Sequence, residues 1–301
     1  MNKIDPVITV VTTTYNRKEL TERCYNSLFA QTCFDFEWVL VDDGSTDGTE
    51  EHFQKLFDGP APFARILVRK ENGGKSSALN AAHPYMHGKY MLILDSDDIL
   101  APNAVETAIK EWNGYSGDPE IGLLIFQKVN PEGKVFASTQ IERVPVDFMK
   151  RRVTIEITND WCEVVRTEIF TKYPIPLFEG ENYITGAAMW YRIGADYKCV
   201  YINKPLEICS FQEGGLTKSG RPLHIRNPKG ETYCSLLRMN PRGPLSYRLR
   251  STIAYICFGT FSGKTFHELL RDAKGSRSLV LLCCIPGKLR YLQYKNKYKI
   301  K

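Results

Sequence analysis

Lys89 to Asp98, K-Y-M-L-I-L-D-S-D-D, is the stretch from which the fold can be read. Tyr90 to Leu94 is an apolar run of one strand's length, and it stops at three carboxylates, Asp95, Asp97 and Asp98, with only Ser96 among them. In open α/β sheets, ligands sit where strands end. Three acids within four residues repel one another and lose hydration when half buried, a cost that a divalent cation would offset. All the donors are oxygens, so Mg2+ or Mn2+ suits them better than zinc. A solvated acidic turn ahead of the helix that starts near Pro102 would explain the same residues, and the flanking segments decide between the two.

Upstream, Val7 to Thr13 (V-I-T-V-V-T-T) and Phe36 to Val41 read as buried strands, and Ala64 to Val68 as a third. Helical patterns follow each, over 18–30, to about Phe57, and over 76–82. Four alternations of strand and helix in under about 100 residues predict a parallel, doubly wound α/β sheet. Each strand delivers polar residues at its C-terminal end: T-Y-N-R, D-D-G-S-T-D-G-T, E-N-G-G-K-S-S and D-S-D-D. These clusters should converge on one crevice. G-G-K-S-S is not a nucleotide P-loop, because Arg69 stands where the motif needs its first glycine, and no G-x-G-x-x-G follows the first strand.

Downstream, a helix is expected from Pro102 to Trp112, then strands over 121–128 and 134–137 joined by a hairpin turn at N-P-E-G. Residues 143–152 are basic and give no clear element. Order resumes at Asp160 to Arg166, and Glu181 in E-G-E-N stands at the mouth of a helix expected over 182–193. A carboxylate there either caps the helix or serves as an ionised base. Strands at 197–202 and 206–211 should close the sheet, followed by a loop from Glu213 to Arg221 whose glycines at 214, 215 and 220 suit a lid. Trp161, Trp190 and Tyr183 are candidates for stacking on a ligand, although aromatics are more often core. His83 and His87 are interrupted by Pro84 and read as structural.

The net charge of +6 conceals an asymmetry. Residues 221–301 hold 17 lysines and arginines against three acids, a balance of +14, which leaves 23 basic and 31 acidic residues before them, a balance of −8. Short apolar runs at 251–258 and 279–285, set between basic flanks, suggest helices lying on an anionic membrane surface, with packing on the rest of the chain or on a second subunit as the alternative. No motif accompanies the charge that would favour nucleic acid. No run reaches the length of a membrane span, and the N-terminus lacks a signal-peptide pattern, so a cytoplasmic protein, peripheral at the inner face of the plasma membrane, is expected. Nine scattered cysteines without a C-x-x-C pair read as reduced thiols.

Taken together, V-T-T-T-Y-N-R, V-D-D-G-S-T-D-G-T, N-G-G-K-S-S-A-L-N and L-D-S-D-D resemble the successive signatures of family 2 inverting glycosyltransferases of the bacterial cell surface. The resemblance covers residues 5–217 and implies a GT-A catalytic domain over 1–220, with a nucleotide-binding half to about 100 and an acceptor half beyond it, then a basic helical extension over 221–301. By position it implies that Thr13 and Tyr15 lie around the base and ribose, that Asp43 bonds the uracil edge, and that Lys75 lies near the donor. It further makes Asp95 a ribose or water-mediated metal contact, Asp97 the Mg2+ or Mn2+ ligand of the D-x-D motif, and Glu181 the general base. Asn182 and Gly214 depart from the acids common at those positions. The implied reaction moves a sugar from a UDP-linked donor to an acceptor hydroxyl, the acceptor being a saccharide or lipid-linked saccharide, in polysaccharide or glycolipid assembly. A metal-dependent nucleotidyltransferase and a sugar-nucleotide-binding protein with a degenerate site are the alternatives; an oligomer is compatible with either.

Overall fold

The computed structural model describes residues 5–154, 160–209 and 216–299. Its strands are β1 (Ile8–Thr14), β2 (Phe36–Asp42), β3 (Ala64–Arg69), β4 (Tyr90–Ile93), β5 (Ile99–Leu100), β6 (Ile121–Val129), β7 (Pro145–Asp147), β8 (Trp161–Arg166) and β9 (Lys198–Ile208). The helices of the first two hundred residues are α1 (Lys18–Phe29), α2 (Thr49–Phe57), α3 (Lys75–Ala81), α4 (Ala104–Asn113), α5 (Phe148–Thr154), α6 (Thr167–Lys172) and α7 (Ala187–Asp196). The C-terminal region adds α8 (Leu216–Arg226), α9 (Pro228–Leu237), α10 (Leu245–Phe261), α11 (Phe266–Asp272), α12 (Arg277–Leu282) and α13 (Cys284–Lys297). The chain forms two compact units: Met1–Asp147 with Glu156–Ile175 and Asp196–Gln212, and Phe148–Ile155 with Pro176–Ala195 and Glu213–Lys301.

The first unit is built on one mixed sheet in the order β3-β2-β1-β4-β8-β6-β9-β5, with β7 pairing β9. β3, β2, β1 and β4 run parallel, as the strand and helix alternation predicts. All seven residues of β1 are β-branched, and six are buried, as befits a strand covered on both faces. α1 buries Thr21, Cys24, Tyr25 and Leu28, a single stripe at helical spacing. Trp112 of α4 stacks on Tyr90 of β4 with ring centres 4.3 Å apart, which fixes the helix against the strand that carries D-S-D-D. β8 is antiparallel to both β4 and β6, so β6, and β9 parallel to it, run in the direction of β1 to β4 and end at the same edge of the sheet.

Four expectations need correction. Lys134 to Ala137 do not form a strand: the turn closes at Asn130 to Lys134, but pairing stops at a single bridge, Val129 to Val135, because β6 is already paired on one edge by β8 and on the other by β9. The two closing strands are one, β9, which absorbs Asn203-Lys204-Pro205 as a bulge where Gln127 pairs Pro205 and Lys128 pairs Glu207. The helix after Glu181 begins only at Ala187. Ahead of it, the Asn182 and Tyr183 amides donate to Asn227 Oδ1 at 3.2 Å each. Of the expected lid, residues 213–215 lie outside the described residues, as does Gly214, and from Leu216 the chain is helical with a break at Gly220.

The second unit is helical. Its core gathers Met239, Tyr255, Ile256, Leu269, Ala273, Val280 and Cys283. α13 approaches α10 closely because Gly287 lies on Ile256, where a Cβ would sit 2.6 Å from the isoleucine side chain. Among the described residues, no helix is long and apolar enough to cross a membrane. All nine cysteines are free.

Candidate active site

The C-terminal ends of β1 to β4 are tied to one another side chain by side chain. Asn16, after β1, takes a left-handed conformation (φ 51°) that asparagine tolerates; its amide donates to Ser45 Oγ at 2.9 Å, and its Oδ1 accepts from the Thr46 amide at 2.7 Å. That stitches the β1 loop to the β2 loop. Tyr15 projects beside it, 47% exposed, with Thr13 half-buried one turn of the pleat earlier.

Asp42 and Asp43 end β2 and are both buried. Asp42 accepts from the Ser45 amide at 2.9 Å and pairs with Arg69 at 2.9 Å, so it is a structural clasp between β2 and β3. Asp43 turns the other way and accepts from Lys70 Nζ (2.6 Å), the Gly73 amide (3.0 Å), the Gly74 amide (2.7 Å) and Asn72 Nδ2 (3.2 Å). Such a donor set fixes the loop that leads into α3. Gly44 must be glycine: its φ is 83° and an added Cβ would lie 2.8 Å from the Asn72 amide.

β3 and β4 meet through Lys75 and Asp95, which form a close ion pair. Burial pulls the lysine pKa down, but Asp95 outweighs it and the net direction is up. Burial raises Asp95, and Lys75 more than reverses this, so the aspartate lies below its ordinary range. Asp97 faces Arg17 at 3.3 Å, which closes the circuit back to β1. The turn itself is held by the Asp98 amide donating to Asp95 carbonyl oxygen at 2.9 Å. Asp43, Lys75, Asp95 and Asp97 therefore lie at the C-terminal ends of the parallel strands, linked through the Gly74 amide, the Lys75–Asp95 ion pair and Arg17, with Thr13 and Tyr15 at the end of β1.

Asp98 has a different environment. It points toward Lys128 (3.9 Å), whose ammonium also reaches Glu207 at 2.7 Å and Asp160 at 3.4 Å. Glu207 is fully buried and one of its oxygens, Oε1, has no partner. Burial pushes Asp98 up to about 7, with Lys128 opposing, and also raises Glu207. Lys128 is pulled down by burial, but its acid neighbours outweigh that and carry it well above the ordinary lysine range. Ligand atoms of Asp98, Glu207 and Cys209 come within 4.8 Å of one another, but the Lys128 ammonium already stands among them as the cation. Sequence reasoning missed Lys128 and Glu207; the only signal is a charge at the end of each apolar strand, F-Q-K-V and L-E-I-C, 79 residues apart.

In the second unit, Glu181 does not open the helix after it. Its two oxygens accept from the Lys229 amide (2.7 Å) and the Gly230 amide (2.8 Å), the second and third positions of α9. The anionic carboxylate thus completes the positive end of that helix. Trp161 and Trp190 are core residues at 2% and 7% exposure. His87 is engaged with buried Glu37 at 2.9 Å.

A sheet of this order, with acids crowded at the end of its fourth strand, is that of the GT-A fold. S. aureus TarS, residues 1–349 and crystallised in one case with UDP-GlcNAc, shares the fold at 16% identity and a TM-score of 0.63, covering 97% of this chain and 91% of that one. So does the mannosyltransferase PcManGT of Pyrobaculum calidifontis, solved with GDP-Man and Mn2+ (17% identity, TM-score 0.55, 99% of this chain and 89% of that one). The chain belongs to glycosyl transferase family 2, whose model matches residues 9–162. Chondroitin synthase of Pasteurella multocida is 38% identical over 135 residues, 44% of this chain and 14% of that protein. Glycosyltransferase GlyA of Streptococcus pneumoniae is 35% identical over 229 residues, 71% of this chain and 32% of that protein. The chain thus spans less than a third of either relative's length.

Proposed function

We propose that the protein is an inverting, metal-assisted glycosyltransferase that moves a sugar from a UDP-linked donor to a hydroxyl of a saccharide or lipid-linked acceptor in cell-surface polysaccharide or glycolipid assembly. The observation that carries the reading is the set of contacts that links Asp43, Lys75 and Asp95, and ties Asp97 to Arg17, at the ends of four parallel strands. Family membership supports the transfer chemistry, and the UDP-GlcNAc and GDP-Man complexes of the two fold relatives support a nucleotide-sugar donor.

The residues present fit a hard divalent cation. Asp95 and Asp97 offer oxygen donors, and their side chains are 35% and 20% exposed, unlike Asp98, which is committed to Lys128. Their present partners, Lys75 and Arg17, sit on long flexible stems and are 39% and 32% exposed. Asp97, with Asp95 beside it, would hold Mg2+ or Mn2+. A bound divalent ion supplies neutralisation of the charge that gathers on the departing diphosphate. Lys75 adds a fixed positive charge on the same side.

The acceptor oxygen forms a bond to the anomeric carbon as the bond to the diphosphate breaks, and Glu181 takes the acceptor's proton. One carboxylate suffices, since the leaving diphosphate needs charge stabilisation and not a proton, unlike glycoside hydrolysis. Incubation with a panel of UDP and GDP sugars and Mn2+, with an oligosaccharide acceptor, tests the reading. Release of nucleoside diphosphate and transfer product, both abolished by Asp97→Ala, is expected. Release of pyrophosphate, or no release with any donor, would contradict it.

A further inference from the structure

α12 and α13 end the described chain with an apolar surface that no described element covers. Leu281, Leu282, Ile285, Leu289 and Leu292 are 56%, 69%, 68%, 54% and 50% exposed. Such side chains are ordinarily scattered singly over a surface. Here five fall within twelve residues, and within α13 the steps from Ile285 to Leu289 to Leu292 keep them on one face.

The opposite face of α13 is already spent on packing. Gly287 lies against Ile256, Tyr291 against Phe261 with ring centres 4.6 Å apart, and Tyr294 near Phe258 at 6.3 Å. The outward stripe is therefore not a misplaced core face, since α13 has a second, satisfied one.

Charge identifies what the stripe fits. Asp272 is the last acid of the chain; residues 273–301 contain eight lysines and arginines and no carboxylate side chain. Lys288 and Lys295 lie one helical turn from Ile285 and Leu292 along the edge of the stripe, and Arg277 lies one turn before Leu281. A second copy of the chain would bring this surface against its own like charge. A leucine stripe bordered by lysines matches the boundary between headgroups and acyl chains of an anionic bilayer, with apolar side chains entering and ammonium groups at the phosphates. We infer that the outward face of α12 and α13 is a docking surface for anionic phospholipid membranes, with α13 lying in the plane of the surface. This inference stands apart from the sugar-transfer reading, because its test needs no turnover.

The full-length protein is mixed with vesicles of phosphatidylcholine alone or of phosphatidylcholine with phosphatidylglycerol, and bound protein is measured by sedimentation. Binding to the anionic vesicles only, weakened by added salt, is expected. Ile285→Gln with Leu289→Gln should reduce it at least tenfold, and Lys288→Gln with Lys295→Gln by about fivefold per lysine. Ile285, Lys288 and Leu289 are exposed and Lys295 is half-buried, so thermal unfolding of both variants should stay close to the parent. Equal binding to both vesicle types, no binding, or binding unchanged in the Ile285 and Leu289 variant would overturn the inference. A concentration-dependent dimer that the same variant dissolves, without vesicle binding, would assign the face to a second copy instead.

Discussion

Replacing Lys128 by methionine removes the cation that pairs with the acids of a buried cluster while nearly preserving volume. Lys128 is 7% exposed, Glu207 is fully buried, and their charged atoms are 2.7 Å apart. At that separation the attraction is about 6 kcal/mol with an effective dielectric constant of about 20. Much of this only offsets desolvation, but breaking a buried pair from one side still costs about 3–5 kcal/mol, because the abandoned carboxylate cannot return to water. With a urea slope of about 3 kcal/mol/M, the unfolding midpoint of Lys128→Met should fall by about 1–2 M. Lys128→Met combined with Glu207→Gln should recover about half of the loss or more, since neither partner is then left charged. A pH series adds an independent check. In Lys128→Met, the lysine's lowering effect is gone and burial, the largest influence on Glu207, raises its folded pKa above the unfolded value, so the folded state binds the extra proton. Stability should then rise as pH falls from about 8 to about 5, and be lost as pH climbs through the folded pKa. A loss under about 1 kcal/mol for the single variant, or a double variant as unstable as the two singles summed, would refute the reasoning.

Glu181→Gln separates the two roles its position suggests. An amide oxygen still accepts from the α9 amides, so thermal unfolding should drop by only a few degrees, whereas transfer should fall at least a hundredfold if this carboxylate is the base; normal turnover makes it a helix cap only. Glu231 is buried between His224 (2.8 Å) and Arg238 (3.1 Å). Burial would raise its pKa, but those partners outweigh it and the net direction is down. Its stabilising contribution is therefore present above the unfolded value of about 4.5 and disappears as pH falls through the folded pKa. Glu231→Gln should lower stability at pH 7 by about 3 kcal/mol and flatten the acid limb of the pH profile, checked by urea unfolding between pH 7 and pH 3.

The first four strands were legible because their signals are local. A β-branched run ending in D-D-G-S, or an apolar run ending in D-S-D-D, states both a strand and where it stops, and β1 to β4 follow within two residues. What failed depends on partners distant in the chain. Lys134 to Ala137 have strand-like residues, but no free edge of β6 was left to receive them. Pro205 reads as a break between strands, whereas the sheet absorbs it at a bulge opposite Gln127. Glu181 is the same case: its capping position was legible, but the helix it caps begins 47 residues later, at Pro228. The pairing of Lys75 with Asp95 and of Arg17 with Asp97 was not legible, since each joins residues from different strand-end loops.

Calorimetric titration of UDP and GDP sugars into the protein, with and without Mn2+, against Asp97→Asn as control, tests the central claim most directly. Heat of binding for at least one nucleotide sugar that requires the metal and falls at least tenfold in Asp97→Asn is the result expected. Metal-independent binding of equal strength in both proteins would contradict it.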